Sequence, residues 1–115
     1  MRPYEVVVIF DASLEEDALR AVIDRVTAVV QAGGGTPREV VHWGRRRFAY
    51  ELAHRWDGYY VVFEITAEPP VVAEIDRMLS LADEAIRHKI VRVPEHLSGR
   101  SRVAPGDELA VEAGS

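Results

Sequence analysis

The sequence predicts an α+β fold in the order βαββαβ, a four-stranded antiparallel sheet with two helices on one face. Three observations carry that expectation. Segments 4–10, 36–52, 59–66 and 86–93 are rich in β-branched and aromatic residues and are bounded by Pro, Gly or Asp. Two intervening segments repeat apolar residues at helical spacing. The second and third strands are joined by a short polar stretch, which makes them a hairpin. Two helices of similar length must bury their apolar stripes against a shared sheet face, and this is the ferredoxin-like arrangement.

The first strand, "YEVVVIF", is apolar on both faces and is therefore central. Ser13 stands three residues before Glu16, a capping-box spacing that predicts the start of the first helix. Leu19, Val22, Ile23, Val26, Val29 and Val30 then mark its buried stripe, and Gly33, Gly34 and Gly35 end it. Those glycines are not a phosphate loop, because a strand follows them instead of a helix carrying Lys-Ser/Thr. The second strand, 36–52, is expected to bulge at Gly44. "AHRWDG" turns the chain, with Asp57-Gly58 as the turn signal, and 59–66 returns. Pro69 and Pro70 open the second helix, with Val72, Ile75, Met78, Leu79 and Leu81 or Ala82 facing inward. The last strand, 86–93, is closed by Pro94. From Glu95 the composition turns polar and small, so residues 1–94 are expected to form one domain and 95–115 a flexible tail.

Strand alternation separates the faces. Tyr4, Val6, Val8 and Phe10, with Tyr59, Val61, Phe63 and Ile65, meet the helices. Val7, Ile9, Tyr60 and Val62 gather on the uncovered face, an apolar surface suited to a protein partner or to the tail. Along the second strand, Phe48, Tyr50 and Leu52 share a parity fit for the core, while Arg45 and Arg47 project from the other side. Arg46 points with the apolar set, near the rim.

Charge is unevenly spread. The chain carries a formal net charge of −5, yet three consecutive arginines stand in "HWGRRRFAYEL". Arg2, Arg87, Lys89 and Arg92 add to them, while acid concentrates in the first helix and in the tail. Two readings fit: a local patch that selects phosphate, or an edge strand charged against aggregation. Catalytic chemistry finds no support. There is no cysteine, the four histidines have no metal-ligand spacing, and no serine lies in a nucleophile motif. No cofactor is implied. Arg2-Pro3-Tyr4 leads straight into a short strand with no signal peptide, so a cytoplasmic protein is expected. An alternative on the same fold is a homodimeric small-molecule-binding regulatory module joined through its open sheet. A dimeric enzyme would need a buried histidine or carboxylate in a sheet-face cavity.

"MRPYEVVVIF", the glycines after the first helix, "WGRRRFAYEL", "GYYVVFEI" and "IRHKIVR", in that order and spacing, resemble the bacterial small-subunit ribosomal protein S-six family over residues 1–94. The resemblance implies a structural, non-enzymatic constituent of the small ribosomal subunit with the ferredoxin-like fold. It implies binding to the central domain of small-subunit ribosomal RNA, as a heterodimer with ribosomal protein S-eighteen. The family's basic positions fall on Arg2, Arg45, Arg46, Arg47 and Arg87, with Lys89 and Arg92 as supporting contacts. Glu51 stands where many members have proline, and Phe48 where leucine is usual.

Overall fold

The computed structural model describes residues 1–52 and 54–94. Its elements are β1 (Arg2–Asp11), α1 (Glu16–Ala32), β2 (Thr36–Leu52), β3 (Arg55–Ala67), α2 (Pro69–Leu81) and β4 (Ala85–Arg92). The strands form one four-stranded sheet in the order β2-β3-β1-β4, and every neighbouring pair is antiparallel. The ferredoxin-like fold expected from the pattern is the fold observed. The tail, 95–115, lies outside the described residues.

The central strands are those with apolar residues at both parities. Val6 through Phe10 of β1 and Tyr60 through Phe63 of β3 are buried without a break. Val6, Val8 and Phe10 pack with Val61, Phe63 and Ile65 against Val22, Val26 and Val30 of α1 and Val71, Ile75 and Leu79 of α2. The α2 stripe thus runs at every fourth residue, with Val72 and Met78 flanking it. Of the alternatives Leu81 and Ala82, Ala82 is half-buried and Leu81 is 73% exposed. Two residues beyond Leu79 it has turned to the opposite side of the helix.

Two local expectations need correction. Helix α1 is preceded by Glu15 as N-cap with no side-chain capping bond, so Ser13 is not the cap. The Ser13 amide and hydroxyl instead donate to Asp11 Oδ1, at 2.9 and 2.7 Å. A carboxylate two residues back is the stronger acceptor and takes both donors. Asp57 and Gly58 do not form the hairpin turn either. They lie within β3, opposite Arg47 and Arg46, and the chain reverses nearer His54, whose φ is 63°. Gly58 is glycine for a different reason. A Cβ there would run into Ile9 and come within 2.9 Å of Phe48 Cζ.

The bulge at Gly44 has the largest consequence. His42 pairs with Val61 and Gly44 with Tyr60, so Trp43 is an extra residue, and Gly44 takes φ +87° to admit it. One extra residue reverses the alternation along the rest of β2. Phe48 therefore lands on the face away from the helices, against Tyr60, and not in the helix-side core. A second irregularity lies between Arg47 and Leu52, which pairs with Arg55. Tyr50 is 48% exposed and Leu52 half-buried, so Phe48, Tyr50 and Leu52 do not form one core stripe.

Val7, Ile9, Tyr60 and Val62 do share the face away from the helices, as alternation requires, but they are not exposed. With Phe48 they form a second buried cluster, packed by Val41, Trp43, Leu52, Ile86 and Val91. Trp43 stacks on Tyr60 with ring centroids 6.4 Å apart and planes at 23°. The far end of β2 folds its own side chains over the sheet and makes this a two-core domain.

Candidate nucleic-acid interface

The arginine block stands at the hairpin end of the sheet, and its three members have different surroundings. Arg45 is exposed, but its Nε donates to Asp57 Oδ2 at 2.6 Å and its Nη2 meets the same oxygen. Arg46 pairs opposite Gly58 and is half-buried on the Phe48 side. Arg47 is exposed and, among the described residues, has no carboxylate partner. At the hairpin base, Arg55 Nε and Nη2 donate to Asp11 Oδ2 at 3.0 and 2.7 Å. The Ser13 amide, then Arg55 and the Ser13 hydroxyl, hold the Asp11 carboxyl at about 2, below its ordinary 3.8. This pair fastens the hairpin to the β1–α1 corner.

Arg45, Arg46, Arg47, Trp56 and Asp57 line an open depression of about 400 Å³. Trp56 is 53% exposed within it. Sequence reasoning misses this indole because "AHRWDG" reads as a turn. The available signal is an aromatic residue on the returning strand, next to Asp57, which pairs with Arg47.

Register places the remaining basic residues. Gly44, Tyr60, Ile9 and Arg87 are successive partners across all four strands, so Arg87 shares a row with the start of the arginine block. At about 4.8 Å per strand it stands roughly 15 Å from β2. Lys89, opposite Val7, is two residues further along β4 on the same parity. Arg2 pairs with Ala67 at the other end of β1, about 30 Å along the strand from the Asp11–Gly58 pair. Arg92 pairs with Tyr4, near that same end. The structure thus brings Arg45, Arg46, Arg47 and Arg87 toward the hairpin end, with Arg46 and Arg87 at the parity of the face away from the helices and Arg45 and Arg47 at the opposite parity; it sets Lys89 in mid-sheet and leaves Arg2 and Arg92 at the other end.

Between those ends the face away from the helices carries acid. Glu39 pairs with Glu64, and Glu64 with Glu5, a carboxylate row across three strands. Burial, then the charges of Glu39 and Glu5, push the Glu64 carboxyl up from its ordinary value. This face is polarised, with Arg46 and Arg87 toward the hairpin and carboxylates toward the start of β1, while Arg45 and Arg47 stand at the opposite parity. A polyanion is attracted to the first region and repelled by the second.

Other polar groups serve structure. His88 Nε2 donates to Asp76 Oδ1 at 2.7 Å, joining β4 to α2. His42 Nδ1 and the Tyr59 hydroxyl stand 3.1 Å apart at the end of a cleft of about 740 Å³ between α1 and the hairpin strands. Among the described residues, no three His, Asp or Glu side chains gather in a metal-holding group. Among them, too, no helix is long and apolar enough to cross a membrane.

Residues 3–92 match the family model described as Ribosomal protein S6. The chain belongs to the ribosomal protein S6 family. It is 44% identical over 96 residues to the small ribosomal subunit protein bS6 of Mycolicibacterium paratuberculosis, covering 84% of this chain and all of that one. The bS6 protein of Nocardioides sp. is 45% identical with the same coverage. Among solved structures, the ribosomal protein S6 of Thermotoga maritima superposes with a TM-score of 0.74 at 25% identity, over 80% of this chain and 87% of that one. The C-terminal domain of the Mycobacterium tuberculosis MgtC protein shares the fold alone, with a TM-score of 0.54 at 19% identity. Membership of the family makes the chain a structural ribosomal protein of the small subunit, in a family that is not enzymatic.

Proposed function

We propose that this member binds the central domain of small-subunit ribosomal RNA as a heterodimer with protein S-eighteen, in the cytoplasm and on the ribosome. The observation that carries the reading is the arginine block at the hairpin end, with Arg47 exposed and, among the described residues, without a carboxylate partner. Arg46, Arg87 and Lys89 extend the cationic region across the sheet, while Arg2 and Arg92 would meet RNA only where it wraps the opposite end. Arg45 contributes less, because Asp57 already neutralises it. Such a region fixes position through phosphates and sugars and leaves base readout minor. A patch of this size on an acidic chain gives limited affinity, and protein–protein burial with S-eighteen supplies the remainder. A protein partner on the face away from the helices would touch the covering layer of Trp43 and Leu52, with Val7, Ile9, Tyr60 and Val62 behind it.

The test is a salt titration of the heterodimer on a central-domain RNA fragment. Arg47→Ala should weaken binding and flatten the slope of log affinity against log salt by roughly 0.7. Asp57→Asn, which frees Arg45, should strengthen binding and steepen the slope. Unchanged affinity and slope in Arg46→Ala/Arg47→Ala would sink the RNA reading of this end. The homodimeric regulatory module needs a bare apolar sheet between protomers, and here that face is already covered by its own side chains.

A further inference from the structure

The hairpin end holds a feature that phosphate contact alone does not use. Trp56 is 53% exposed and, among the described residues, lies against no other ring. The second tryptophan, Trp43, is by contrast half-buried and stacked on Tyr60. The Trp56 indole looks into the depression whose other lining residues are Arg45, Arg46, Arg47 and Asp57. The backbone that carries it is fixed on both sides. Arg55 before it is bound to Asp11, and Asp57 after it is bound to Arg45. The indole is therefore held on an ordered strand before any ligand arrives, which reduces the ordering cost of binding.

We propose that this depression takes one unpaired nucleotide of the RNA, its base stacked on the Trp56 indole and its phosphate on the Arg47 guanidinium. The inference rests on the RNA reading above and adds a base-stacking residue to it. The volume, about 400 Å³, lies in the range of small-ligand sites. The chemistry matches a nucleotide part by part. An exposed indole face accepts any base, a guanidinium pairs with phosphate oxygens, and Asp57 is already engaged by Arg45 and presents little net negative charge. A duplex cannot use the site, because its bases are stacked inside the helix. A bulge, loop or junction can, because it offers a base face to an aromatic side chain. A protein partner is the weaker fit, since consecutive arginines surround the indole where an apolar pocket for it would be expected.

The experiment uses the full chain with S-eighteen and a central-domain RNA fragment. Trp56→Ala should weaken binding by about 5- to 150-fold, the range for loss of one stacked base, with the salt slope unchanged. Trp56→Phe should retain most of the affinity. In a Trp43→Phe background, RNA should quench the fluorescence of Trp56. Arg47→Ala separates the two levels of the argument, because it changes the slope whether or not a base stacks. Should Trp56→Ala bind RNA within twofold of the parent while Arg47→Ala still flattens the slope, stacking is wrong and the RNA reading stands. No RNA binding by the parent heterodimer overturns both. Loss of heterodimer formation in Trp56→Ala, with RNA contact otherwise intact, makes the indole a protein contact and overturns the proposal.

Discussion

At the scale of single residues, Asp11 joins three parts of the molecule. One oxygen takes the Ser13 amide and hydroxyl at the entry to α1, and the other takes Arg55 at the base of the hairpin. Its carboxyl is held at about 2 against an ordinary 3.8. A folded value below the unfolded one gives stability that is fully present above about pH 4 and is lost as pH falls toward 2. Arg55 is 42% exposed in this pair, so solvent screening reduces the effect to about 1 kcal/mol. Asp11→Asn keeps the shape and removes the charge. Denaturant unfolding should show the variant about 1 kcal/mol weaker from pH 5 to 8, with the gap closing between pH 4 and 2. A gap independent of pH would mean that hydrogen-bond geometry, not ionisation, carries the effect.

At the scale of elements, β1 and β3 were legible and β2 was not. Simple alternation places all the inward residues of the central strands correctly, because no bulge interrupts their pairing with each other. It fails in β2 beyond His42, where Gly44 admits one extra residue and reverses the parity. The glycine announces the bulge, but its effect on Phe48 appears only when the register is counted through it. Trp56 is hidden for a separate reason: it lies on a strand where local composition spells a turn, so the arginines are visible in the sequence and the indole beside them is not. Gly58 shows the same limit: its neighbour Asp57 suggests a turn, whereas its lack of a side chain makes room for Phe48 over Ile9. Gly58→Ala should therefore cost about 1–3 kcal/mol by overpacking. In a Phe48→Leu background, which withdraws the ring edge, the cost should fall by about 1 kcal/mol, measured as a double-mutant cycle. Simple additivity of the two changes would show that Ile9 alone sets the glycine requirement.

At the scale of the whole molecule, the hairpin has two roles that depend on each other. Arg45 and Arg47 are exposed at the tip while Trp43 and Phe48 cover the sheet behind them, so the structure that presents cations also hides the second core. Uncovered, Val7, Ile9, Tyr60 and Val62 would form a flat apolar patch across two central strands, the kind of surface that drives association. Phe48→Ala removes the one ring of the cover that is fully buried. It should cost about 3–5 kcal/mol of stability, as deletion of a buried phenylalanine does. Because the helix-side core is separate, the fold should persist with this face partly exposed, and the variant should self-associate. Sedimentation over a concentration series should find the parent chain monomeric and Phe48→Ala shifting toward dimers or larger species. An equally destabilising change in the other core, Val26→Ala with Ile75→Val, should leave the chain monomeric while it remains folded. Equal self-association in both variants would trace the effect to general unfolding, and the hairpin would then be a display arm without a covering role.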